Sequence, residues 1–230
     1  MNLLAIETAT ESCSAALLVG DRLLERSELA PRRHAELLLP MCEALLAEAG
    51  LARSALDALA VGCGPGAFTG VRLAISAAQG IALALDLPVV PVSSLAALAM
   101  QAPRNGADVL AVIDARMGEV YSGAFRRGAD DLVVALGEES VGAAAALSLP
   151  AAPAWNVIGS GWATYADALA ARLPAAPAWA DGARYPQAAD VARLAAPTAR
   201  AGRGVAAEFA LPVYLRDKVA LTLAEQRERR

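Results

Sequence analysis

Histidine is nearly absent from this chain of 230 residues: His34 stands alone. A single imidazole excludes the HExxH and HxxxH zinc sites, which need two on one helix face. Lysine is as scarce. Lys218 is the only one, and it sits in RDKVALTL with no glycine loop before it, so there is no P-loop. Three cysteines, Cys13, Cys42 and Cys63, are far apart and odd in number. They form neither a CxxC pair nor a disulfide framework, which fits a reducing compartment. Charged residues make up only 19% against 57% hydrophobic, which excludes a disordered chain. The net charge of -4 does not advertise an autonomous nucleic-acid binder. Long apolar runs are broken where they come nearest to a membrane span. Asp86, Pro88 and Pro91 interrupt residues 81–100, and Pro150 and Pro153 interrupt residues 141–155. Neither stretch reaches the ~20 residues a span needs. The opening MNLLAIETAT meets Glu7 before any basic segment, so it does not read as a signal peptide. The expectation is a soluble, cytoplasmic protein with no membrane partner.

What is present is alanine, roughly a quarter of the chain, and arginine as nearly the whole basic content. Together they reflect codon bias and carry little functional weight. At about 150 residues per domain the length allows one large domain or two small lobes. Residues 2–6, 14–19 and 22–29 read as a β-meander, with the polar turn 7–11 and Gly20-Asp21 between them. Residues 34–49 read as a helix ended by Gly50. Leu37, Leu38, Met41 and Leu45 share one stripe of it. A strand at 57–61 leads into the loop Gly62-Cys63-Gly64-Pro65-Gly66-Ala67-Phe68-Thr69-Gly70 and a helix over 71–85. That helix is apolar all round, with Arg72 its one charge and Ala77, Gly80 and Ala84 a narrow small-residue face. A strand at 89–92 is followed by a helix capped by Ser93 or Ser94.

Residues 102–106 read as the boundary between an N-terminal lobe, 1–103, and a C-terminal lobe, 104–230, whose final segment is able to pack back on the first. The apolar strand ending in Asp114, with its following hairpin, echoes the opening strand ending in Glu7, which suggests lobes of related topology. Later elements read as a strand at 155–161, helices at 163–173 and 188–201, a last strand at 208–216 and a frayed arginine-rich tail. Residues 128–153 carry no clear signal.

Three features invite chemistry. The glycine loop either faces a phosphate or lets the apolar helix approach the sheet, and composition divides the two readings evenly. Its Gly62-Cys63-Gly64 and Ala67 also match a loose GxGxxA dinucleotide pattern, but the opening meander conflicts with a βαβ start. The turn Glu7-Thr8-Ala9-Thr10-Glu11-Ser12 is a phosphate or metal turn or, by preference, an ordinary hairpin. Asp114-Ala115-Arg116 is a catalytic acid with an anion ligand, or an ion pair fixing the hinge between lobes. His34 reads as a surface or interface residue.

LAIETATESCSAAL, His34-Ala35-Glu36-Leu37 with Pro40, GPGAFTGVR, VIDARMGEVY, GSGW and PVYLR occur in an order and spacing that resemble the TsaB/YeaZ family. The likeness covers essentially the whole chain, and GPGAFTGVR with IDARMGEVY is its most specific part. It implies an α/β, actin-like (ribonuclease-H-like) fold of two lobes, each a mixed sheet with flanking helices. It implies a non-catalytic subunit that pairs with a TsaD-type catalytic paralogue and a TsaE-type ATPase. The assembly makes threonylcarbamoyladenosine beside the anticodon of tRNAs reading codons that begin with A. It further implies a homodimer when the chain is alone, and tRNA contact through the complex. The catalytic relative is expected to hold a metal through paired histidines on a helix; here the matching positions are His34 and Leu38. Peptidase labels for such chains find no metal ligands here. Glu7 stands where the family's motif has aspartate, and Ala67 where GPGSFTG has serine.

The site expectations follow. No residue is catalytic and none binds metal. Leu38, Met41, Leu45, Leu73, Ala77, Gly80 and Ala84 present helix faces to a partner. Glu7, Thr8, Gly64, Gly66, Thr69, Asp114 and Arg116 line a vestigial nucleotide cleft. The chain requires no cofactor of its own, and ATP with magnesium enters only with the assembled complex. The alternative is an autonomous actin-like ATPase or phosphotransferase using Glu7, Asp114 and the loop Gly64 to Gly66.

Overall fold

The computed structural model describes residues 1–216; Lys218 and the arginine-rich tail lie outside them. Strands β1 (Asn2–Glu7), β2 (Ser12–Val19) and β3 (Arg22–Leu29) form the opening meander. Helix α1 (His34–Ala49) leads through a short 3-10 turn to β4 (Ala58–Gly62), α2 (Phe68–Leu85) and β5 (Val89–Val92). The sheet order is β3-β2-β1-β4-β5, with β4 and β5 parallel to β1. Its central strand β1 is buried on both faces. Leu4 and Ile6 join the core under α1 and α2, while Leu3 and Ala5 join a second core on the opposite face. The one-residue alternation of strand side chains makes this division.

After α3 (Ser94–Ala99) comes a second sheet, built from β6 (Asp108–Arg116), β7 (Glu119–Arg127), β8 (Val133–Ala135), β9 (Ser140–Ala143), β10 (Trp155–Ile158) and β11 (Trp179–Asp181). Its order, β11-β10-β6-β7-β8 with β9 also paired to β7, repeats the plan of the first. β6 occupies the place of β1, and the antiparallel hairpin β6–β7 the place of β1–β2. Helix α4 (Ser160–Ala170) covers one face, and α5 (Ala188–Arg200) follows β11.

The two sheets exchange helices. α3 leaves the first sheet, yet Leu95, Leu98 and Ala99 pack with Val109, Ala111, Ile113 and Phe125 of the second. α5 leaves the second sheet, yet Ala188, Val191, Ala192 and Ala195 cover Leu3, Ala5, Ala58 and Ala60 of the first. The chain thus crosses twice between the halves that Pro103 separates in sequence. The last segment also returns to the first sheet, where Val205 and Val89 bridge. The strand expected over 208–216 is not formed. Ala207–Phe209 is a 3-10 turn, and the following residues run extended with one sheet-like bond, Val213 N–H to Cys63 O, 2.8 Å. Pro212 has no N–H to give to a ladder. Strands β8, β9 and β11, three or four residues each, fall in or near stretches whose sequence shows no alternation.

Asp190, in the first turn of α5, is buried at the seam between the two cores and accepts a hydrogen bond from Arg193 Nη1 at 2.6 Å. Burial pushes its carboxyl up to about 6 from 3.8; Glu25 adds to this, while Arg193 and Arg127 oppose it. The folded state therefore holds the proton more tightly than the unfolded chain. This contribution is complete below the unfolded value and is lost as pH rises through about 6. The loss amounts to about 3 kcal/mol at one pKa unit per 1.36 kcal/mol. Asp190→Asn is expected to flatten the decline in melting temperature between pH 4 and 7 (about the window of the shift), as read by thermal scans across that range.

Candidate functional site

The opening acid turn and the glycine loop pack into one another. Glu7 ends β1 fully buried. Its Oε1 accepts from Ala9 N–H and its Oε2 from Ser94 Oγ–H, both at 2.6 Å. Burial raises its pKa, against the lowering by these hydrogen bonds. Thr8 Oγ1 donates to Gly70 O at 2.7 Å, and Ala67 N–H donates to Ala9 O at 2.7 Å. The glycines are there for closeness. A Cβ on Gly62 would stand 1.9 Å from Glu7 Oε2, one on Gly66 2.3 Å from Ala9 O, and one on Gly70 2.0 Å from Thr8 O. The structure therefore selects the close-packing reading of the loop. Glu7 and Thr8 are withdrawn from the cleft, because the buried turn uses their polar atoms. Gly64, with φ of 97°, is likewise enclosed: its carbonyl accepts from Ser94 N–H at 2.8 Å.

A cavity of about 480 Å³ does lie between the two sheets. The β1–β2 turn, the loop before α1, the start of α2, the end of β6 and residues 213–216 enclose it. Of the seven residues expected there, Gly66, Asp114 and Arg116 line it, and Thr69 is exposed on the first turn of α2 outside the lining. Arg116 Nη1 meets Asp114 Oδ2 at 2.8 Å, and Nη2 meets Glu11 Oε1 at 3.0 Å. This is the hinge ion pair of the sequence reading, with Glu11 supplying the far lobe. Tyr165 Oη–H adds a bond to Asp114 Oδ1 at 3.3 Å. A magnesium-bound phosphate needs carboxylates free to face it. The two acids in the cavity are both committed to Arg116 and Glu7 is enclosed, so these residues do not fit such a group. His34, half-buried, places Nε2 2.9 Å from Thr10 O. Among the described residues no three His, Cys, Asp or Glu side chains cluster as metal ligands. Arg32, Tyr121, Tyr214 and Arg216 also line the cavity. Sequence reasoning missed Arg32, Tyr214 and Arg216 because they lie on irregular segments, which carry no periodic signal, and Tyr121 because only the pairing of β7 with β6 brings it to the cavity.

The second candidate surface is the outside of α2. Val71, Ala74, Ile75, Ala78 and Ala82 are buried against the first sheet. Gly80 and Ala84 are exposed, and Leu73 and Ala77 partly so, with Leu83 68% and Phe68 53% exposed beside them. The helix is thus two-sided in burial without being two-sided in polarity, which an all-round apolar sequence conceals. Its mean hydropathy of 1.5 over 18 residues is high enough, by composition, for a membrane span; in the fold one side of it is a wall of the core. On α1 the expectation fails for two residues. Leu38 and Leu45, 1% and 0% exposed, belong to the core beneath the helix and face no partner. Met41 is half-buried against the same core, and the large apolar residue that α1 turns outward is Leu39, with Ala35, Pro40, Ala44 and Ala47 also exposed.

The family model described as "TsaD: tRNA N6-adenosine threonylcarbamoyltransferase" matches residues 26–222. The tRNA threonylcarbamoyladenosine biosynthesis protein TsaB of Escherichia coli is 40% identical over 232 residues, covering 96% of each chain. The chain belongs to the TsaB/YeaZ family. Its Haemophilus influenzae member is 49% identical over 123 residues, about half of either chain. The solved YeaZ from Pseudomonas aeruginosa superposes with a TM-score of 0.85 at 46% identity, over 93% of this chain and 99% of that one. A second structure, titled as having similarity to peptidase YEAZ from the same organism, gives 0.85 at 47%. The repeated sheet plan with its exchanged helices is therefore the actin-like, two-lobed fold of TsaB/YeaZ proteins. The glycine loop does join the strand and helix of a βαβ unit, β4-α2-β5, but Gly62, Gly66 and Gly70 are packed against the Glu7–Ala9 turn, where a dinucleotide loop would leave its glycines open to a pyrophosphate. The family's motifs serve this fold directly: GPGAFTGVR is the loop that receives the Glu7–Ala9 turn, and IDARMGEVY is the hairpin whose Asp114 and Arg116 tie the lobes.

Proposed function

We propose that this chain is the non-catalytic platform of a cytoplasmic assembly that makes tRNA threonylcarbamoyladenosine. It pairs with a TsaD-type paralogue, a TsaE-type ATPase joins the pair, and tRNA meets the complex rather than this chain alone. ATP and magnesium, where the assembly needs them, enter with the other subunits. The observation that carries this reading is the outer face of α2, apolar and exposed although the rest of the helix is a wall of the core. An exposed apolar patch on a folded chain marks an interaction surface. The names of the relatives support the pathway, and the committed acids of the cleft argue against an autonomous ATPase.

The test is co-expression of the tagged chain with the TsaD-type protein of its own organism. The wild-type pair is expected to elute together in equal amounts. Ala77→Arg, at the centre of the face, is expected to weaken pairing by about 100-fold, the scale of a disrupted hot spot, while the melting temperature stays within a few degrees. Undiminished pairing by Ala77→Arg would move the interface elsewhere. Failure of the wild type to pair would remove the platform reading.

A further inference from the structure

The cavity between the sheets keeps hydrogen-bond donors that nothing in the fold uses. Its volume, about 480 Å³, falls within the range of small-molecule sites. Much of its wall is apolar, with Val71, Ile113, Val213 and Leu215 among the lining. Three polar features border it without a partner among the described residues. The first is the start of α2. The glycines before it are taken up by packing, but Ala67, the N-cap, offers no side-chain acceptor. The N–H groups of Phe68 and Thr69 therefore donate to nothing. The second is Arg32, on the loop before α1, which makes no ion pair. The other arginines of the lining are engaged, Arg116 with Asp114 and Glu11, Arg216 with Glu119 and Ala115 O. The third is Thr10. It is 6% exposed, and its Oγ1 is buried with no hydrogen-bond partner. A buried hydroxyl left in that state is rare in a native fold and calls for a group that completes it.

We propose that this cavity binds the carboxylate of a small apolar acid, without a metal ion. All three features are donors, so what they lack is an acceptor. One free cation and the positive end of one helix dipole, about half a charge, suit a single negative charge. Glu11 and Asp114 share Arg116, so the wall holds no surplus of positive charge for more. A phosphate monoester, at about −1.5 to −2 near neutral pH, exceeds that count, and a nucleotide polyphosphate exceeds it further. The carboxylate lies among the first turn of α2, Arg32 and Thr10, and the apolar body lies along Val71, Ile113 and Leu215. The assignment is independent of the platform reading, which concerns the outer face of α2.

Titration of the full chain with benzoate, read by saturation-transfer NMR with EDTA present, tests it. Benzoate is expected to saturate in the millimolar range, the scale for so small a ligand. Benzyl alcohol, its neutral counterpart, and phenyl phosphate are each expected to bind about tenfold more weakly. Arg32→Ala and Thr10→Val are each expected to weaken benzoate by about tenfold, the scale of one hydrogen bond to a charged group. Ala67→Asp places a carboxylate at the N-cap, where it takes the first-turn N–H groups for itself. It is expected to raise the melting temperature by about 2–4 °C and to abolish benzoate binding, a combination that partial unfolding does not produce. Absence of saturation by benzoate, equal binding of benzyl alcohol, or unchanged affinity in any of the three variants would overturn the site. Tighter binding of phenyl phosphate, or saturation only after magnesium replaces EDTA, would overturn the carboxylate assignment.

Discussion

Gly70→Ala is expected to abolish soluble expression or to lower the melting temperature by about 10 °C or more. Helix propensity alone argues the reverse. Position 70 is the third residue of α2, where alanine is intrinsically better than glycine by about 1 kcal/mol. The clash decides the sign. A Cβ there would stand 2.0 Å from the carbonyl oxygen of Thr8, a backbone atom of the β1–β2 turn, and 3.5 Å from the Cα of Ala9. Relief requires the turn to move away from the helix. That breaks the bond from Thr8 Oγ1 to Gly70 O and strains the one from Ala67 N–H to Ala9 O. It also disturbs Ala9 N–H on the buried Glu7 carboxyl. Overpacking and unsatisfied buried polar groups are among the few mechanisms that exceed about 4 kcal/mol. For a chain of this size each kcal/mol is about 2–4 °C. Gly80→Ala is the control in the same helix. Nothing lies within 4 Å of its added Cβ, so propensity acts alone and the melting temperature is expected to rise by about 2–4 °C. Differential scanning calorimetry of the two variants reads both signs.

Leu45→Arg is expected to leave the protein insoluble, whereas Ala77→Arg leaves it folded. By sequence both residues belong to apolar helix faces and are equally plausible partner contacts. In the fold Leu45 has no exposed surface and packs under α1 with Leu4, Ile6 and Leu38 in the first core. The residues of that core are apolar, and burial of an unpaired charge costs several kcal/mol, most of a domain's stability. Ala77 lies partly exposed on the outer side of α2, where a long side chain reaches water. The fraction of each variant in the soluble lysate, followed by circular dichroism of what is recovered, separates the two. A soluble, cooperative Leu45→Arg would mean that α1 does not pack as described.

The contrast between these residues shows how far sequence reasoning reaches. The helix over 34–49 and its Gly50 terminus are legible because apolar spacing and a left-handed cap are local properties. So are the meander, the strand before the glycine loop and the Ser93 cap, whose Oγ accepts from Ala96 N–H at 3.1 Å. The side of a uniformly apolar helix that faces the core is not local. On α2 every face reads alike, and only the position of β4 and the C-terminal segment decides which residues are covered. Stripe reading placed Leu38 and Leu45 among partner contacts because a stripe announces burial without naming what buries it.

The cleft divides in the same way. The motifs that place this chain in the TsaB/YeaZ family are contiguous, and the strand–acid–hairpin repeated at Glu7 and Asp114 announces two similar lobes. The fate of each acid depends on what folds against it. Glu7 is enclosed by Gly62 and Ser94, separated from it by 55 and 87 positions, and Asp114 meets Arg116, which reaches Glu11 in the other lobe. The exchange of α3 and α5 between the sheets is likewise invisible to any window of sequence, since it pairs residues near 190 with residues near 5. Local chemistry, in propensity, caps and contiguous motifs, was determined by the sequence alone. Which acids are committed and which helix face stays bare were decided only by tertiary structure, because burial and pairing are set by groups distant along the chain.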